Sequence, residues 1–294
     1  MFAAVGEGYV DVPGGRVWWR SMGDEHANIP LLCLHGGPGF AHDYLDCFED
    51  LAAGRRVIFY DQLGCGRSAG PTDESLWTVE RFVEELVAVR EALNLDRLHL
   101  LGSSWGGMLA MEYVIRKQPQ LDSLILAGSP ASIPEWERYA KELLGAFPRD
   151  LQDTVRRHEE NGWYSCPEYQ AAIHTYYRRH LFRTGPFPAG LERSFAAVNA
   201  DIYMYMQGPS EFTIIGTLKD WDILDQLGDI SVPTLLTVGR HDECPPHHVE
   251  EMQRRIPNSR HVVFEEGSHL HFYEQRADYM ATLEDWFADV EGHY

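Results

Sequence analysis

Six short apolar runs, each leading into a turn that contains glycine, constrain this chain more than any other feature. They are residues 29–34 before HGGPG, 56–60 before DQLGCGRS, 98–101 before GSSWGG, 124–127 before GSP, 234–238 before GRHDE, and 261–264 before EEGSH. Runs this continuous in apolar residues suit parallel strands buried on both faces. Helical patterns lie between them. In 78–93, Val79, Phe82, Val83, Leu86, Val87 and Leu93 follow helical spacing behind Thr78, a residue type that caps helices. Strand, tight turn and helix in repetition predict a doubly wound α/β sheet, whose ligands gather at the carboxyl ends of the strands. Each turn motif above falls at such an end.

The rhythm stops after Gly128 and resumes at VPTLLTVG. Between about 133 and 218 lie many aromatics at helix-compatible spacing, among them Trp136, Tyr139, Trp163, Tyr164, Tyr169, Tyr176, Tyr177, Tyr203, Tyr205 and Phe212. This stretch is expected to be a helical cap inserted after the sixth strand, its aromatics mostly packing among themselves. The expected organisation is a first core part over 1–132, the cap over 133–218, and a second core part over 219–294. A chain of 294 residues suffices for such a core with an insertion.

The formal charge of −20 disfavours nucleic acid and anionic membranes as partners and favours a substrate carrying positive charge. No apolar run approaches the ~18 residues that span a bilayer, and no secretory signal is evident, so cytoplasm is the expected location. Five scattered cysteines without a C-x-x-C pair argue against both a disulfide framework and a zinc site.

Of the two serines in LGSSWGGM, Ser104 is the one centred in G-x-S-x-G, between Gly102 and Gly106. In that pattern a serine stands on a strained strand-to-helix turn, with glycines permitting close backbone packing. Centring on Ser103 would put Leu101 and Trp105 at the glycine positions. A serine hydroxyl needs a base to take its proton and a third group to orient the base, in the chain order Ser, acid, His for this fold. The loop GRHDECPP offers Asp242 and Glu243, and EEGSHLH offers His269 and His271; His269 is favoured because it directly follows the strand-end turn. His35 and His241 fall outside that order. Donors for an oxyanion are expected from the backbone of Trp105, just past the serine, and of Gly37 in the glycine loop.

LHGGPG at 34–39, DQLGCGRS at 61–68, GSSWGG at 102–107, HDE at 241–243 and GSH at 267–269 together resemble the proline iminopeptidase family of α/β-hydrolases. The segment GPSEFTIIGTLKDWDI at 208–223 is similar to that family's broad-specificity, tricorn-interacting branch. The resemblance implies a serine aminopeptidase that works through an acyl-enzyme, with no metal or cofactor. It implies that Glu211 and Glu243 hold the free amine of a small peptide or aminoacyl amide. Asp242 is then expected to orient His269. Strictly proline-specific members tend to read GGSWGS and DQRG, where this chain has GSSWGG and Leu63, so the preferred residue stays open. An amidase acting on an aminoacylated metabolite, a carboxylesterase on the same fold, and a non-catalytic receptor of that fold are the competing readings. Aspartate, not serine, would stand at position 104 in a dehalogenase.

Overall fold

A computed structural model describes residues 4–24, 28–68, 70 and 72–292. The described residues form the strands β1 (Ala4–Val12), β2 (Gly15–Met22), β3 (Asn28–Leu34), β4 (Arg55–Tyr60), β5 (His99–Ser103), β6 (Ser123–Ala127), β7 (Thr234–Gly239) and β8 (Ser259–Phe264). They make one sheet in the order β1-β2-β4-β3-β5-β6-β7-β8. The β1–β2 and β2–β4 pairs are antiparallel, and every other pair is parallel. All residues of β5, β6 and β7 are buried, as strands covered on both faces require.

Side chains alternate between two cores. Leu32 and Leu34 of β3 join Leu100, Leu124 and Leu236 under the helices α1 (Val79–Ala92) and α2 (Trp105–Lys117). Leu31 and Cys33 point to the other face, with Leu101, Ile125 and Leu235. That face is covered by the 3-10 segment His42–Ala53 and by the chain's last helix, which contributes Leu283 and Phe287. Burying each such Leu or Phe contributes about 1.5–3 kcal/mol, so the sheet is a firm base for the turns at its edge. Thr78 caps α1 as its sequence suggests, its hydroxyl accepting from the Arg81 amide at 3.2 Å.

Between β6 and β7 come the helices α3 (Ile133–Gly145), α4 (Arg149–Glu160), α5 (Pro167–His180), α6 (Ala189–Ala196) and α7 (Ala200–Met206). They carry an apolar cluster of their own, with Phe147, Val155, Tyr169, Ile173, Tyr176 and Phe212. One anchor to the sheet domain is α6. Its Ser194 hydroxyl donates to Ala41 O at 3.1 Å and accepts from the Tyr44 amide at 3.0 Å, while Arg193 pairs with Asp43 and Asp46. After β7 the chain continues through α8 (Pro246–Arg255), β8, α9 (His271–Glu274) and α10 (Arg276–Glu291).

Candidate active site

Ser104 stands where β5 turns into α2, with φ 57° and ψ −124°, a conformation that costs a non-glycine residue energy and persists only when its surroundings impose it. The imposition comes from close packing. A Cβ on Gly102 would lie 2.3 Å from Gly106 O, and one on Gly106 would lie 2.2 Å from Leu34 O, so neither position accepts a side chain. Ser103, by contrast, is fully buried within β5 and pairs in register with Ala127.

Asp242 lies in the loop after β7 and His269 in the loop after β8. The His269 Nδ1 donates to Asp242 Oδ1 at 2.7 Å, which leaves Nε2 as the nitrogen with a lone pair. The Cys244 amide donates to the same Asp242 oxygen at 2.8 Å. Helix α5 grips the loop from above: the amides of His269 and Leu270 donate to the carbonyls of His180 and Leu181 at 2.9 and 3.0 Å. His271 belongs to the core. Its ring lies within hydrogen-bond distance of Ser268 O and Thr237 Oγ1 and beside Tyr279, and burial pushes its pKa down to about 4. His241 meets Gly267 and His180 through its backbone.

The glycine loop after β3 is tied to the nucleophile turn by Gln62 of DQLGCGRS. The Gln62 side chain donates to His35 O at 2.8 Å and accepts from Trp105 Nε1 at 2.9 Å, and its amide donates to His35 Nε2 at 2.9 Å. Gly37 and Trp105 thereby border one pocket beside Ser104, lined also by Met108, Pro130, Ile133, Trp136, Gln207 and Glu211. A second cavity takes in Ser104, His269, Glu211 and Glu243 together with Phe40, Leu181, Leu191 and Leu270. Neither is lined by a lysine or an arginine.

Two glutamates therefore share the cavity with the serine and the histidine. Glu211 accepts from the Tyr203 hydroxyl at 2.5 Å through Oε1 and from Gln207 Nε2 at 3.1 Å through Oε2, and its carbonyl accepts from Trp136 Nε1. Glu243 is 1% exposed, and its Oε2 has no hydrogen-bond partner. Burial first, then the neighbouring Glu211, pushes the Glu243 carboxyl well above the usual carboxylate range; burial also raises Glu211, against the pull of Tyr203. Burial opposes charging His269, but Asp242, Glu243 and Glu211 outweigh it and bring its pKa up to about 9. The two glutamates thus lie in a cavity with no lysine or arginine in its lining, where His269, held by Asp242, is the basic side chain beside them.

Sequence reasoning names Ser104, Asp242, His269, Gly37, Trp105, Glu211 and Glu243, and the structure brings all seven to the two adjoining cavities or directly behind them. It gives no role to Tyr203, Gln207, Trp136 or Gln62. Trp136 and Tyr203, two of the aromatics expected mostly to pack, face this site: Trp136 lies edge-on to His269 at 5.7 Å, and Tyr203 holds Glu211. Gln62 had a signal, since it stands inside the DQLGCGRS motif.

Such a sheet with a strained serine at its carboxyl edge is that of an α/β-hydrolase, and residues 29–275 match the family model described as alpha/beta hydrolase fold. The chain is 41% identical to a proline iminopeptidase of Heyndrickxia coagulans over 97% of its own length and 99% of the relative's. Among solved structures it is similar to VinJ, with a TM-score of 0.94 and 36% identity over 98% of this chain and 100% of that one. It is also similar to the proline iminopeptidase of Mycobacterium smegmatis, with a TM-score of 0.89 and 36% identity over 97% and 98%. The chain belongs to the proline iminopeptidase family of α/β-hydrolases.

Proposed function

We propose that the protein is a serine exopeptidase that releases an N-terminal residue, proline or a small apolar one, from peptides or aminoacyl amides bearing a free amine. The observation that carries this reading is the pair Glu211 and Glu243, placed in the cavity that Ser104 and His269 line, with no lysine or arginine in that lining. The ammonium of the substrate sits between the two carboxylates, and residues 133–218 act as the cap that shuts out water. His269 Nε2 takes the Ser104 proton as Oγ attacks the carbonyl carbon, and Asp242 stabilises the imidazolium. The Gly37 and Trp105 amides hold the oxyanion. Collapse expels the leaving amine, which receives its proton from His269, and water then releases the acyl group by the same steps in reverse.

The apolar lining by Phe40, Leu181, Leu191 and Leu270, with no lysine or arginine to meet a peptide carboxylate, favours a second reading within the same chemistry: the leaving amine belongs to an apolar, non-peptide compound. Among the described residues no helix is long and apolar enough to cross a membrane, and all five cysteines are free; both support a cytoplasmic location. The test is kcat/KM on alanyl- and prolyl-arylamides against their N-acetyl forms. Turnover of the free amines alone is expected, and equal rates on both would overturn the exopeptidase reading in favour of an esterase-like hydrolase.

A further inference from the structure

A second set of chemistry-bearing side chains lies at the turn joining α4 to α5, and none of its members lines either cavity at Ser104. His158 is buried in the last turn of α4, Cys166 is the half-buried residue capping α5, and the exposed Glu168 follows in the first turn of α5. One nitrogen, sulfur or oxygen atom of each lies within 4.8 Å of those of the other two. The turn that brings them together is well tied: the amides of Gly162 and Trp163 donate to Glu159 O and His158 O, and the Cys166 amide donates to Trp163 O. His158 Nδ1 donates to Thr154 O at 2.8 Å, which fixes the tautomer and leaves Nε2 as the basic nitrogen. The rings of Trp163 and Tyr169 stand beside the imidazole at 6.0 and 6.2 Å, giving it the apolar wall that metal-binding histidines commonly have.

We propose that His158, Cys166 and Glu168 form a binding site for a zinc-class divalent cation, with water as the fourth ligand. Imidazole, thiolate and carboxylate together are a zinc donor set, whereas calcium and magnesium take oxygen alone. Bond lengths of ~2.0–2.3 Å in a tetrahedron put donor atoms ~3.3–3.8 Å apart, so closure asks for a movement of about 1 Å, within reach of the Cys166 and Glu168 side chains. Binding releases the thiol proton. The scatter of cysteines predicts no zinc site, and this proposal departs from that expectation because a site of one cysteine, one histidine and one carboxylate needs no cysteine pair. The bound cation clamps the start of α5, the helix whose far end holds the His269 loop through His180 O, so it stiffens the cap without entering the reaction.

The test is titration of the tag-free, metal-stripped enzyme with Co²⁺, read by thiolate-to-cobalt absorption, followed by competition with Zn²⁺ and by the thermal midpoint. One equivalent is expected to produce the band, Zn²⁺ to displace it, and Zn²⁺ to raise the midpoint by an amount that grows with the logarithm of its concentration over Kd. Cys166→Ser is expected to abolish the band and weaken Zn²⁺ binding at least tenfold, with arylamide kcat/KM of the metal-free variant unchanged. Because His158 is buried and its replacement could unfold the cap, Glu168→Gln at the exposed position is the second variant, with a smaller loss of affinity expected. Absence of the band in the wild type, or Zn²⁺ binding unchanged by Cys166→Ser, overturns the proposal.

Discussion

Ser104, Asp242 and His269 each stand on the turn that follows a strand, β5, β7 or β8, whereas Glu211, Tyr203 and Gln207 stand on the segment between β6 and β7. The first set is positioned by backbone: glycines at 102 and 106 that admit no side chain, a capped strand end, an amide held by a carbonyl. The second set is positioned by side chains: a hydroxyl and an amide that hold a carboxylate, packed over an apolar cluster. On the proposed function, a floor fixed by backbone and a cap built from side chains divide the work, the floor supplying bond-breaking chemistry and the cap supplying recognition of charge. Glu243 joins the two, since its backbone belongs to the floor loop and its carboxyl faces the cavity under the cap.

The largest effect separates the regions most cleanly. Ser104→Ala is expected to lower kcat by roughly 10⁴–10⁶ on amide and ester substrates alike, with an unchanged circular dichroism spectrum, because it removes one hydroxyl from the rim of the sheet. Asp242→Asn and His269→Ala should be severely impaired on both substrates as well. Ser103→Ala should stay active; a dead Ser103→Ala beside an active Ser104→Ala breaks the assignment of the floor.

Replacing the cap's charge should divide the substrates. Glu211→Ala or Glu243→Ala leaves a bound ammonium partly unpaired, a loss of about 3–5 kcal/mol in a well-buried pair. This corresponds to roughly 10²–10⁴ in kcat/KM for free aminoacyl arylamides. The plateau rate on a simple acetate ester should barely change, because the serine, histidine and oxyanion donors remain. Equal losses on the ester would mean that the glutamates shape the floor and do not bind the amine.

The same division explains what was legible in the sequence. Turn chemistry leaves a local trace: a glycine required by a 2.2 Å approach must be written as glycine, and a strand covered on both faces must be written in apolar residues. Ser104 and the strand ends could be read for that reason. The antiparallel hairpin of β1 and β2 leaves a weaker trace, since β2 alternates only in pairs and no continuous apolar run marks it. Cap contacts leave none. Nothing near Trp136 in the chain announces that its indole will donate to the carbonyl of Glu211, 75 residues on, or that Tyr203 among so many aromatics will be the one to hold that carboxylate. Resemblance to a family supplied Glu211 and Glu243, and physical reasoning about an ammonium agreed, but spacing alone would not have found them.

The pH profile probes how far the regions are independent. From its ordinary value of ~6.5, His269 is carried up to about 9, by Asp242 in the floor and by Glu243 and Glu211. Only neutral imidazole accepts the serine proton, so ester hydrolysis should rise with pH, by up to about tenfold per unit below the pKa, with its limb well above 6.5. Glu211→Gln removes a negative charge facing His269 and should move that limb to lower pH, and Glu243→Gln should do so to the extent that its raised carboxyl is ionised there. A bound ammonium has the same sign of effect, so the acid limb of kcat for aminoacyl amides should lie below that for the ester. Coincident limbs in all three would show that the cap's charge does not reach the base.

The smallest expected effect concerns the two side chains that aim Glu211. Tyr203→Phe and Gln207→Leu each delete one charge-assisted hydrogen bond, of a kind worth about 1.5–3 kcal/mol when buried. Each variant keeps the other bond, and the substrate ammonium can satisfy the freed oxygen, so the net loss should sit at the low end, about tenfold in kcat/KM. If the cap only recognises charge, that loss should appear in KM for aminoacyl arylamides, with kcat and the ester rate unchanged. Gln207 also borders the small cavity beside Trp105, and Gln207→Glu retains a polar side chain there while adding a third carboxyl. It should therefore bind the amine no better than Gln207→Leu, because it gives Glu211 a competitor in place of a donor. A fall in kcat on the ester from either substitution would show instead that α7 and the segment after it help hold the floor, and the line between the two regions would have to be redrawn through Gln207.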